Sequence, residues 1–108
     1  MPYLIGFMKW PTDKTDELVK KAFEVVKKYP EDRSLGEPVI PNAFKGGLEG
    51  MRSITITEVK KGKLEEAITR SREMAMMYAA SVEGFEYSIE VWATQVEGWS
   101  SIGKTAPE

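Results

Sequence analysis

The segment "YLIGFMKW", Tyr3 to Trp10, decides the fold. Strand alternation sends Tyr3, Ile5 and Phe7 to one side and Leu4, Met8 and Trp10 to the other, so both faces are apolar. A strand of this kind is covered above and below, which places it in the middle of a sheet. Pro11 closes it. Periodicity does not say which row meets the rest of the core. Met8 and Trp10 are assigned to the face away from the helices, because Trp10 then shares a face with Trp92.

Outward from this strand, "TDKTDELVKKAFEVVKKY" carries Leu18, Val19, Ala22, Phe23, Val26 and Tyr29 at helical spacing, with Asp13 or Thr15 as N-cap and Pro30 as the stop. Its acid-first pairs four apart, such as Asp16 with Lys20, describe a solvated face. Between Glu31 and Gly50 the prolines at 38 and 41 allow only a short edge strand, since each removes a ladder donor. "KGGLEG" is a turn; it lacks the Gly-Lys-Ser/Thr ending of a phosphate loop.

"MRSITITEVKKG" alternates again, Ile54 and Ile56 against Ser53, Thr55, Thr57 and Val59. Gly62 leads into a second helix with a stripe of Leu64, Ala67, Ile68, Ser71, Met74, Ala75, Tyr78 and Val82, ending near Gly84. The last strand lies in "EYSIEVWATQV", Glu86 to Val96, with Tyr87, Ile89 and Val91 on its core side and Glu86, Ser88, Glu90 and Trp92 opposite. The order strand, helix, weak strand, strand, helix, strand is the ferredoxin-like βαββαβ repeat, an α+β class with a four-stranded antiparallel sheet and two helices on one face. Right-handed crossovers put the first and third strands in the centre and the proline-bearing second strand at an edge. Residues 1–99 form the domain; residues 100–108 are expected to be a flexible C-terminal tail.

Composition narrows the chemistry. A chain of 108 residues, 42% hydrophobic and with a net charge of -2, suits one domain and lacks the basic excess that nucleic-acid binding requires. There is no cysteine and no histidine, so thiolate and imidazole metal sites, cysteine nucleophiles and the usual neutral-pH proton carrier are excluded. No cofactor is expected. No apolar run approaches the roughly 20 residues of a membrane span, and with no leader pattern at the start a cytoplasmic protein is the expectation.

Two helices on one face leave the other sheet face open, a surface of about 350 Å² for four strands. It is expected to carry Trp92, Thr55, Thr57, Glu90 and the row of Met8 and Trp10. A semi-apolar patch of that kind marks a binding surface. On this element order and these two-faced strands, over about residues 2 to 97, the chain resembles the dimeric α/β-barrel superfamily, whose members pack two such sheets face to face around a cavity. The resemblance implies a homodimer and a small, partly apolar or aromatic ligand, held between helices and sheet or between the two sheets. It also brings in a cofactor-independent isomerase or monooxygenase, and a purely structural or regulatory dimer, as alternatives.

Ligand contacts are expected from Met8, Trp10, Arg52, Thr55, Thr57 and Trp92. Glu90 is the candidate catalytic residue, a mid-strand carboxylate beside an indole whose pKa burial could raise. Its other reading is an ion pair with Arg52 or a lysine across the dimer.

Overall fold

The computed structural model describes residues 1–107. Four strands, β1 (Tyr3–Trp10), β2 (Gly36–Gly47), β3 (Gly50–Val59) and β4 (Glu86–Trp92), form an antiparallel sheet in the order β2-β3-β1-β4. Helix α1 (Thr15–Lys28) follows β1 and α2 (Leu64–Ser81) follows β3, both on the same face of the sheet; a short α3 (Gln95–Ser101) follows β4. This is the ferredoxin-like topology, with β1 and β3 central and the proline-bearing β2 at an edge. Among the described residues no helix is long and apolar enough to cross a membrane.

Several local expectations change. β2 runs for 12 residues, because two register shifts, at Pro38/Ile40 and Ile40/Ala43, let the chain pass its prolines without losing the hairpin with β3. Neither Asp13 nor Thr15 caps α1. A 3-10 turn, Thr12–Lys14, leads into the helix, and the Thr15 hydroxyl instead donates to the Thr12 carbonyl (2.8 Å) and accepts the Trp10 indole N–H (3.1 Å). α3 was not expected at all. Thr94 and Glu97 form a reciprocal capping box at its start, which carries the chain in helical form through Ser101 and so into the expected tail. Glu108 lies outside the described residues.

The parity of β1 is opposite to the expectation. Leu4 packs with Val59 and Ala67, and Trp10 packs with Leu18 and Val82, so the row Leu4, Gly6, Met8, Trp10 faces the helices. The physical reason is volume: Trp10, 1% exposed, fills the space beneath the start of α1, which no residue of the other row would reach. Direct pairing then settles β3. Thr57 lies opposite Leu4, Thr55 opposite Gly6 and Ser53 opposite Met8, so the two threonines face the helices while Ile54 and Ile56 turn to the open side.

The core is therefore two clusters rather than one. Leu4, Val59 and Ala67, with Leu64, Ile68 and Ile89, close one end of the sheet; Trp10, Leu18 and Val82, with Met8, Met51, Tyr78 and Phe85, close the other. Between them, midway along β1, stands Gly6, without a side chain. A Cβ there would lie 2.8 Å from Thr55 Oγ1, so glycine is what lets β1 and β3 approach at this point.

The molecule is flat, 47 × 31 × 18 Å, and its radius of gyration of 15.4 Å exceeds the roughly 13 Å of a compact domain of this length. Its accessible surface is 7476 Å², where a monomer of its mass exposes about 6,100 Å².

Candidate functional site

The chain builds two surfaces of functional interest, on opposite sides of the sheet. The open face is defined by the cross-strand register, since directly paired residues share a side. Four rows cross it from β2 to β4: Glu37, Glu58, Tyr3, Trp92; then Ile40, Ile56, Ile5, Glu90; then Ala43, Ile54, Phe7, Ser88; and last Lys45, Arg52, Lys9, Glu86. The centre is apolar. Glu37, Glu58 and Glu90 lie toward one end of the strands; at the other, three cations line up beside a single carboxylate, Glu86.

Trp92 is 52% exposed, and its indole N–H donates to Glu90 Oε1 at 2.9 Å. Ser88 Oγ donates to the other carboxylate oxygen at 3.4 Å. Glu90 is thus held by its own strand, at the opposite half of the face from Arg52, which is bonded to Glu49 beside the hairpin turn.

The second surface lies on the helix side. α1 is fastened to α2 at its far end: Tyr29 Oη donates to Glu73 (2.9 Å), the Arg70 guanidinium lies 5.5 Å from the Tyr29 ring centre, and Arg70 also donates to the Pro30 carbonyl. Toward β2 no such fastening exists among the described residues. A groove of about 750 Å³ separates α1 from the edge of the sheet, with Met8, Trp10, Met51 and Ser53 along its floor and Phe23 and Phe44 on its walls. Only part of the α1 stripe is used in the core: Leu18 and Val25 are buried, while Val19, Phe23 and Val26 stay exposed. Phe44 meets Trp10 edge to face at 6.4 Å. Deeper in, a hollow of about 260 Å³ reaches Gly6 and Thr55, and it shares Met8, Val26, Asn42 and Tyr78 with the groove.

The groove's volume is that of a small-molecule site, and its lining is predominantly apolar. Polar groups are few. The Trp10 N–H is already satisfied by Thr15. Burial pushes the Tyr78 hydroxyl above its ordinary pKa and so keeps it protonated. Ser53 is 5% exposed and its Oγ has no hydrogen-bond partner among the described residues. Glu24 and Lys27 supply the charge on α1, and Glu24 is paired with Lys21 at 2.8 Å. Among the described residues no three acidic side chains gather as a metal site would require.

The expected site residues thus divide between the two surfaces. Met8, Trp10 and Thr55 line the groove and its inner hollow, Arg52, Glu90 and Trp92 stand on the open face, and Thr57 faces the helices without lining either cavity. Phe23, Phe44, Asn42 and Ser53 were not anticipated. Ser53 shares its row with Thr55, Thr57 and Val59, so the signal that could have found it is Val59, whose burial turns the whole hydroxyl row inward.

Fold and surfaces together define a ferredoxin-like α+β protein with one helix-covered and one uncovered sheet face. No family model matches the chain, and a search of curated proteins finds no match. Among solved structures it is similar to a dimeric ferredoxin-like protein of unknown function from Thermobifida fusca YX, at 9% identity and a TM-score of 0.44 over 86% of this chain and 92% of that one.

Proposed function

We propose that the protein is a homodimeric α/β barrel in which the open sheet faces of two copies pack together, and that each copy binds a small, partly apolar metabolite on the helix side. The banding of the open face carries the reading. Sheets that pack face to face in a closed dimer are related by a two-fold axis lying between them. If that axis crosses the strands, the end bearing Glu37 and Glu58 lies over the partner's basic end and the isoleucines meet in the middle. If it runs along the strands, the basic row falls on its own copy in reversed order: Lys45 lies over the partner's Glu86, but Arg52 lies over the partner's Lys9, a like-charge contact that costs free energy. Charge therefore selects the crossing arrangement.

A reciprocal charge exchange tests this. Arg52→Glu is expected to weaken the dimer by tenfold or more, read as solution mass against concentration, and Glu58→Arg combined with Arg52→Glu is expected to restore it. A monomeric parent protein at high micromolar concentration, or a double variant no better than the single one, would remove the arrangement.

Once the open face is covered, Arg52, Glu90 and Trp92 become interface residues and the metabolite's place is the groove, where Met8 and Trp10 stand. A cofactor-independent isomerase or monooxygenase with Glu90 as base would need its substrate held between the two sheets instead.

A further inference from the structure

We infer that Ser53 is the recognition group of the groove, and that its ligand is a neutral molecule with an aromatic or aliphatic body and a single hydroxyl or carbonyl head. This rests on the groove being a small-molecule site. The inference stands on three observations that concern the same place. The first is the orphaned hydroxyl. A buried serine oxygen without a partner has given up water and gained nothing in exchange, and folded proteins seldom carry such a group without use for it. Ser53 Oγ is in that position, buried and without a partner among the described residues, and Ser53 lines the floor of the groove.

The second is the lining around it. Trp10, Phe23, Phe44, Met8 and Met51 offer ring faces and thioethers, which suit a flat or chain-like apolar body. Among the described residues no charged side chain stands on the floor; the charges of Glu24 and Lys27 are on α1. An ionised ligand head brought to Ser53 would be desolvated without a counter-charge, which burial penalises far more than a neutral head. A hydroxyl or carbonyl meets the serine's needs, since the serine both donates and accepts.

The third is depth. The groove borders the hollow at Gly6 and Thr55, with Met8, Val26, Asn42 and Tyr78 common to both, so a body longer than one ring has a place to extend toward while its head stays at Ser53. The gap between the two core clusters is thereby part of the site rather than a packing fault.

Three matched probes separate the claims: 2-naphthol, naphthalene and 2-naphthoate, titrated into the full chain with binding followed by saturation-transfer NMR and thermal shift. The expected order is 2-naphthol tightest, by roughly five- to tenfold over naphthalene, a ratio one net hydrogen bond supplies. Ser53→Ala is expected to bring 2-naphthol down to naphthalene while leaving naphthalene unchanged. Its unfolding temperature should hold or rise, because an unpaired hydroxyl has been removed.

If 2-naphthol and naphthalene bind equally to the parent, or Ser53→Ala preserves their ratio, the role of Ser53 is overturned and the groove survives as a site. Tightest binding by 2-naphthoate would overturn the neutral ligand class. Failure of all three to bind would remove the groove reading itself.

Discussion

Gly6 shows how one residue can shape the interior. Valine in the middle of a central strand normally gains from β propensity, by at most about 1 kcal/mol. Here the new Cβ would stand 2.8 Å from Thr55 Oγ1, and Thr55 is β-branched with little rotamer freedom to withdraw. Overpacking of that kind costs about 1–3 kcal/mol, so the clash outweighs propensity. Gly6→Val is therefore expected to lower the urea midpoint and to shut the inner hollow, reducing 2-naphthol affinity several-fold in the same titration. An unchanged midpoint would mean that β1 and β3 separate freely at this point. In the sequence nothing singles this residue out. Its meaning depends on which row of β1 meets the helices, and alternation cannot decide that when both rows are apolar. The choice of Trp10 as a partner for Trp92 failed because a large indole was needed beneath α1; the isoleucines of β3 then had to take the open side, against the habit of placing the most apolar residues inward.

Elements were legible where period and punctuation agreed. β3, α2 and the alternation of β4 follow the sequence closely: Ala67, Ala75 and Val82 of the expected α2 stripe are buried, and Gly84 stands just past it with φ +81°. α3 escaped notice because Gly98 and the serines around Trp99 are weak helix formers. The signal that could have found it is Thr94 followed three residues later by Glu97. That cap makes a measurable claim. Thr94→Ala is expected to fray α3 at a cost of about 1 kcal/mol, seen as loss of amide protection in residues 95–101 with the sheet unaffected. Acid should mimic it. The N-terminal ammonium, 2.6 Å from Glu97 Oε2, holds this carboxyl below its ordinary range, assisted by the Thr94 N–H. A lowered folded pKa means that the contribution is complete above the ordinary carboxylate value and is lost as pH falls through the lowered one. Protection of the α3 amides, measured against their intrinsic exchange rates, should therefore fall below about pH 4 while that of the sheet amides holds.

At the scale of the whole molecule, the flat outline and surplus surface suit the proposed second copy on the uncovered face; with that copy in place, stability depends on concentration. The unfolding temperature is expected to climb by several degrees between 1 and 100 μM chain, as for any protein whose native form is linked to association, and to stay flat if the chain acts alone. Scanning calorimetry at those two concentrations distinguishes the cases. The element order and the existence of an uncovered face could be argued from the sequence, because they follow from counting amphipathic helices against two-sided strands. The groove could not. It arises because α1 is tied to α2 by Tyr29 and Arg70 and so stands away from β2, a matter of long-range packing that no local pattern encodes.

The two borders of the sheet are unequal. Along β2, Pro38, Pro41 and two register shifts interrupt the line of backbone donors, whereas β4 carries neither proline nor bulge over its seven residues. Lateral growth by a foreign strand, whether in a fibril or in a runaway swap between copies, has only the β4 border to begin from, and Glu86 and Glu90 are the carboxylates that would have to be crowded together for it to proceed.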